Sequence, residues 1–115
     1  MKNFFTIFNH INFFGILYKL GDFMFNKKDA YYIAKKLGIN FNNFSIDDFL
    51  TGLNIELEHG TINQKTNVTN DDLEKTAKIA LAHLNEFPNY YNKEYGLSIF
   101  EEYLKFKLKY ENLMK

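Results

Sequence analysis

The stretch SIDDFLTGLNIELEHG, residues 45–60, decides the fold. Ser45 can cap a first helical turn, with Asp48 three residues later as a weak form of the capping box, and Gly60 is a typical stop signal. Between these ends the apolar residues recur with the 3.6-residue period of an amphipathic helix, at Ile46, Phe49, Leu50, Leu53 and Leu57. The stretch therefore predicts one helix with a single buried face.

The segment before this stretch predicts a shorter helix of the same kind. Asn26 can cap a helix over residues 27–37, and Gly38 supplies the left-handed residue that commonly ends a helix. Four apolar residues share one face of it and are expected to be buried: Ala30, Ile33, Ala34 and Leu37.

Two further helices are predicted after a polar loop over residues 61–70. The first begins at a cap formed by Thr69 or Asn70 and ends or kinks at Pro88. Its buried face would carry Leu73, Ala77, Ala80, Leu84 and Phe87. The last helix covers residues 97–114, with Ile99, Tyr103, Phe106 and Tyr110 on one side. No run alternates with a period of two, so residues 25–115 are expected to form one all-α domain, a compact bundle of four to five helices.

The first 24 residues form an apolar, Phe-rich extension that we expect to be helical. The polar residues Asn9, His10 and Asn12 interrupt it, so it lacks the apolar length of a transmembrane segment. Its aromatic stripe is expected to dock on the core, on a second copy of the chain or on a protein partner. There are two alternatives. The segment could be an interfacial membrane helix, or it could lie upstream of a true translation start at Met24.

Charge and composition exclude several classes of function. The formal net charge is +0 and all 14 basic residues are Lys, so the chain lacks both the excess positive charge and the Arg side chains that nucleic-acid binding favours. The chain has no Cys, which excludes disulfides, thiolate metal sites and a cysteine nucleophile. We expect a cytoplasmic protein that does not bind nucleic acid.

Two short motifs are the only constellation able to carry chemistry, and they are Glu56-x-x-His59 and His83-x-x-Glu86. Each places a carboxylate and an imidazole one turn apart on the same side of a helix. Because their order is reversed, antiparallel helices could bring all four residues together around one divalent ion such as zinc, manganese or iron. The alternatives are a polar network at the edge of the core, or a metal-free acid–base site in which His83 is the base and Glu86 orients it.

The order of these motifs resembles a small uncharacterised family, a domain of unknown function found in bacteria and phages. Three strings carry the resemblance: ELEHG at residues 56–60, TNVTNDD at 66–72 and KIALAHLNEFPNYY at 78–91. The resemblance implies that ten residues belong to the family's motif, namely Glu56, Glu58, His59, Asn67, Asp71, Asp72, His83, Glu86, Pro88 and Tyr90. It implies no activity. We therefore expect a small domain with a structural or protein-interaction role, in a phage, viral or bacterial accessory setting, and a metal-binding bundle is the alternative.

Overall fold

The computed structural model describes residues 24–115, and these residues contain four α-helices, one short 3₁₀ turn and no strand. The helices are α1 (Lys27–Leu37), α2 (Ile46–Ile62), α3 (Leu73–Glu86) and α4 (Leu97–Met114), and the 3₁₀ turn is Gln64–Thr66. The predicted all-α bundle is confirmed. Apart from Met24, the extension predicted for residues 1–24 lies outside the described residues. No helix within residues 24–115 is both long and apolar enough to cross a membrane.

The caps of α1 and α2 are those that the sequence predicts. The Asn26 side chain accepts a hydrogen bond from the Asp29 backbone N–H, and the Asp29 carboxylate accepts one from the Asn26 backbone N–H. Gly38 ends α1 at a φ of 69°, in the left-handed region that glycine adopts without a steric penalty. The Ser45 hydroxyl accepts from the Asp48 N–H at the start of α2.

Two helix ends differ from the prediction. Gly60 does not end α2, because the helix runs on to Ile62 and the Thr61 hydroxyl donates back to the Leu57 carbonyl at 2.6 Å. The cap of α3 is Asp72, whose carboxylate accepts from the Lys75 N–H. Asn70 cannot open the helix because it lies in the left-handed region with a φ of 52°.

The core lies where α1, α2 and α3 meet. Its buried side chains are Ala30, Ile33, Ala34, Phe49, Leu53, Ala77, Ala80, Leu84 and Tyr91. All but Tyr91 belong to the three apolar faces predicted from helical periodicity. Phe87, which was predicted to be buried, is exposed. The reason is that α3 ends at Glu86 and Phe87 has an extended backbone, which turns its ring away from the buried face.

Helix α4 stands apart from this core. The segment of residues 87–96 joins it to α3, and the Leu97 N–H donates to the Tyr90 carbonyl at 2.7 Å. Leu97 packs partly against the core, but none of the 18 residues of α4 is buried. The bundle is therefore a three-helix core with a fourth, exposed helix attached at one end.

Candidate functional site

The Glu56 carboxylate, on α2, is the centre of a polar cluster beside the core. The Tyr91 hydroxyl donates a hydrogen bond to its Oε2 at 2.6 Å. His83 Nε2, from α3, lies 3.7 Å from the same oxygen, and His59 Nδ1 lies 3.6 Å from Oε1. Only 9% of the Glu56 side chain is exposed. One nearly buried carboxylate thus joins two imidazoles and a phenol from three parts of the chain.

Glycine at position 52 makes the Tyr91 contact possible. A Cβ atom on Gly52 would lie 2.5 Å from Tyr91 Cε2, closer than side chains can pack. Gly52 is one helical turn before Glu56 on the same face of α2. The Tyr91 ring therefore lies directly on the helix backbone, and its hydroxyl reaches the carboxylate one turn later.

His83 is held by aromatic rings. It stacks on Tyr90, with ring centroids 4.2 Å apart and an angle of 8° between the planes. Tyr91 meets the same imidazole edge-on at 6.2 Å. Both tyrosines follow Pro88, so the chain after α3 turns back and packs two rings around a residue of the helix that it has just left.

The electrostatics of the cluster favour a charged Glu56. Burial alone would raise the pKa of this carboxyl, but the interactions with His59 and Tyr91 outweigh burial and lower its pKa. The pKa of His59 is raised, chiefly by its interaction with Glu56, with further contributions from the charges of Glu101 and Glu58. Burial and the bond to Glu56 raise the pKa of Tyr91, so its phenol stays protonated. These shifts favour a charged Glu56 carboxylate beside a protonated His59 and the Tyr91 hydroxyl.

Two more glutamates extend the cluster towards α4. His59 Nε2 lies 4.0 Å from Glu101 Oε2, so His59 stands between a carboxylate of its own helix and one of α4. Glu58 is buried, and within residues 24–115 its Oε2 has no hydrogen-bond partner. Burial raises the pKa of Glu58 to about 7, with a smaller contribution from the negative charge of Glu101. This carboxyl is therefore much easier to protonate than an exposed glutamate.

Three of the four residues predicted as a site come together, and the fourth does not. Glu56, His59 and His83 share the cluster, whereas Glu86 is exposed and takes no part in the described ion pairs that join them. Its charge is one of the causes that raise the pKa of Tyr90, after burial and the charges of Glu56 and Glu101. The carboxylate beside His83 is that of Glu56. The acid–base site in which Glu86 orients His83 stays a prediction.

The geometry offers little to a metal ion. Within residues 24–115, no group of three or more His, Asp or Glu side chains is arranged so that it could hold one. The two imidazoles lie against different oxygens of Glu56, at 3.6 and 3.7 Å, and Glu86 takes no part in these ion pairs. The metal site of Glu56, His59, His83 and Glu86 stays a prediction.

An open cleft of about 290 Å³ borders the cluster on the side of the loop between α2 and α3. It is lined by Glu56, His59, Gly60, Thr66, Val68, Thr69 and Ile79. The loop is held by its own side chains, since the Asn67 amide donates to Asp71 at 2.8 Å and the Thr69 hydroxyl accepts from the Asp71 N–H. The asparagines and aspartates of this loop thus serve as turns and caps.

Sequence reasoning missed Tyr91 as a partner of Glu56 and Glu101 as a partner of His59. The signal for Tyr91 was a glycine on the buried face of α2, one turn before Glu56, which leaves room for a ring. Nothing in the sequence pattern indicated the Glu101 contact, because it depends on the angle at which α4 leaves the core.

Comparison with known proteins shows the family to which the chain belongs. No curated protein and no solved structure matches this chain. A family described as "Protein of unknown function (DUF5661)" matches residues 30–102, which include all of α1, α2 and α3 except the first three residues of α1, together with the start of α4. The matched region also contains the whole Glu56 cluster. The match covers more than half of the chain, and the protein therefore belongs to the DUF5661 family, whose function is unknown.

Proposed function

We propose that this chain is a protein-interaction domain in which α1, α2 and α3 form the scaffold and α4 is the binding element. One observation carries the proposal. Helix α4 exposes nine large apolar side chains to between 47% and 76%, namely Ile99, Phe100, Tyr103, Leu104, Phe106, Leu108, Tyr110, Leu113 and Met114. Scattered exposed apolar residues are ordinary, but a contiguous surface of this kind marks an interaction site.

The stability of α4 supports the same proposal. A helix of about 18 residues with no tertiary packing is marginal in water, because most helical stability in proteins comes from burial of an apolar face. A helix that is apolar around most of its circumference is expected to be covered. A protein partner would supply the burial that the chain's own described core does not.

The Glu56 cluster supports this role as a structural network. Through His59 it lies next to Glu101 in the second turn of α4, where Leu97 also packs on the core. Buried polar groups that satisfy one another are common in folded domains and specify one arrangement of the elements that they join. We interpret the cluster as the part that sets the direction in which α4 leaves the scaffold.

Site-specific photo-crosslinking tests the proposal. The full chain would carry benzoylphenylalanine at Phe106 in one variant and at Leu108 in the other, and protein adducts formed in cells would be identified by mass spectrometry. The two side chains are 65% and 61% exposed, and they lie on opposite faces of α4. We expect a defined protein adduct from position 106, which is turned away from the core. We expect much less from position 108, because it lies on the same side of α4 as Leu97 and Glu101, which approach the core. Equal yields, or no protein adduct from position 106, would overturn the proposal.

The setting of this role is part of the proposal. The resemblance to bacterial and phage proteins supports an accessory role in a bacterium or phage, and the absence of Cys is in keeping with the cytoplasm. The aromatic stripe of residues 1–24 is proposed as a second contact to a partner or to another copy of the chain.

A further inference from the structure

We propose that the partner of α4 is α4 of a second copy of this chain, and that the two helices pair antiparallel. This inference rests on the proposed function and names its partner. Three features of α4 support self-pairing, namely the spacing of its apolar residues, the distribution of its charges and its attachment to the core.

The spacing is that of a coiled-coil seam. Ile99, Tyr103, Phe106, Tyr110 and Leu113 follow one another at intervals of four, three, four and three residues. Alternating intervals of this kind place the side chains in a single stripe. The stripes of two helices can then interdigitate. The rings of Phe106 and Tyr110 already lie against each other along this stripe, with centroids 6.4 Å apart. We call these five residues the seam.

The seam is turned away from the core. Leu97 and Glu101, the residues at the base of α4 that approach the core, lie on the opposite side of the helix. Pairing through the seam therefore leaves the packing of α4 on its own scaffold intact. The five seam residues are 47% to 76% exposed, so each is available to a second helix.

The charges favour the antiparallel direction. Residues 97–104 contain two Glu and no Lys, whereas residues 105–115 contain four Lys and one Glu. An antiparallel pair places the acidic half of each helix against the basic half of the other. A parallel pair would place the two basic halves together, which is unfavourable.

One charge pair defines the register. Glu102 and Lys109 both flank the seam on the same side, seven residues apart. If Tyr103 of one copy packs against Phe106 of the other, Glu102 of each copy faces Lys109 of its partner, twice by symmetry. A parallel pair would instead place Glu102 near Lys107. The attachment of α4 to the core at its first turn also favours antiparallel pairing. In that arrangement the scaffolds of the two copies lie at opposite ends of the helix pair.

Sedimentation equilibrium of the full chain tests the pairing first. We expect the apparent mass to rise with concentration from one copy towards two. Phe106→Glu places a charge in the seam and should leave the chain monomeric at every concentration. Leu108→Glu is the matched control, since it makes the same change at similar exposure on the opposite face, and it should associate like the unaltered chain. Both positions lie outside the core, and circular dichroism would verify that both variants fold.

Charge exchange then tests the direction. Glu102→Lys and Lys109→Glu should each raise the dissociation constant of the dimer about tenfold, because each turns two attractive charge pairs into two repulsive ones. The double variant should restore it to within about twofold, since both pairs are attractive again. Glu111→Lys and Lys115→Glu make the same charge changes away from the seam and should have little effect.

The outcomes separate this inference from the proposed function. Rescue by Glu102→Lys combined with Lys107→Glu, and not with Lys109→Glu, would overturn the antiparallel arrangement. A chain that is monomeric at every concentration would overturn self-pairing, with residues 1–24 of the same chain or a lipid surface as the remaining occupants of the seam. If crosslinking at Phe106 then captures a different protein, the interaction role stands and only the identity of the partner is wrong.

Discussion

Two helices of this chain, α2 and α4, have similar lengths and apolar patterns but opposite environments. Each is 17 or 18 residues long and carries large apolar residues at helical spacing. Phe49 on α2 is fully buried, whereas Phe106 on α4 is 65% exposed. The difference is that α2 packs between α1 and α3, while α4 meets the core only near its first turns. Periodicity thus shows which face of a helix is meant to be covered, but not whether the same chain covers it.

The largest expected effect is a difference in stability between two Phe→Ala variants, one on α2 and one on α4. Phe49→Ala should lower the free energy of unfolding by about 3–5 kcal/mol, because it leaves a cavity in a packed core. Phe106→Ala should change it by less than about 0.5 kcal/mol when measured at high dilution, where copies of the chain are separated. Urea denaturation followed by circular dichroism measures both values.

A large loss of stability in Phe106→Ala at high dilution would contradict the comparison. It would show that α4 is part of the folding unit of a single copy. The exposed face would then be covered by the chain itself, and self-pairing would lose its driving force.

The next effect concerns Glu58, the buried carboxyl on α2. Its pKa is about 7 in the folded chain, against 4.5 for an ordinary Glu. Because the folded state favours the protonated form, the stabilisation from this group is complete below the unfolded pKa and is lost as the pH rises through 7. The predicted loss between pH 5 and pH 8 is about 2–3 kcal/mol.

The variant Glu58→Gln isolates this effect. His59, whose pKa is raised, also loses its stabilisation as the pH rises, and Glu56, whose pKa is lowered, loses its own as the pH falls. Both remain in the variant, so the difference between variant and unaltered chain removes most of their contributions. What stays is the effect of the Glu58 charge on the pKa of His59, which is the smallest of the causes of that shift. We expect Glu58→Gln to become more stable relative to the unaltered chain from pH 5 to pH 8. A difference that does not depend on pH would show that Glu58 titrates normally.

The hydrogen bond from Tyr91 to Glu56 should have a smaller effect. Tyr91→Phe keeps the ring against Gly52 but removes the donor to a buried carboxylate, which should cost about 1.5–3 kcal/mol near neutral pH. Tyr90→Phe is the matched control, because it retains the stack on His83, and it should change stability by less than about 0.5 kcal/mol. Thermal or urea denaturation of the two variants compares them. Equal effects would mean that the rings, not the hydrogen bond, hold the cluster together.

Much of the fold could be predicted because its signals are local. The cap at Asn26, the left-handed Gly38 and the apolar faces of α1, α2 and α3 each depend on residues within a few positions of one another. The errors occurred where local signals compete with non-local ones. Gly60 is a typical stop signal, yet α2 continues through it, and a Cβ there would lie 2.8 Å from Asn67 Oδ1.

The site was harder to predict because its contacts are long-range. The i, i+3 spacing correctly indicated that Glu56 and His59 interact, and antiparallel packing correctly indicated that His83 approaches Glu56. The contact from Tyr91 spans 35 residues and depends on how the chain turns after Pro88. The position of Glu86 depends on the same turn, because α3 ends at this residue and leaves it exposed.

The smallest expected effect is that of a chelator on the Glu56 cluster. An ion that binds only the folded state raises stability with its concentration, so its removal lowers the melting temperature. Because the two imidazoles face different oxygens of Glu56 and Glu86 stands apart, we expect EDTA to leave the melting temperature of the full chain, purified without a histidine tag, unchanged. Stoichiometric zinc, manganese or iron, a melt lowered by EDTA and release of the ion by His83→Ala would instead establish the predicted metal site. Glu86→Ala then separates the two arrangements, since it would weaken a four-ligand site and leave the hydrogen-bonded network unaffected.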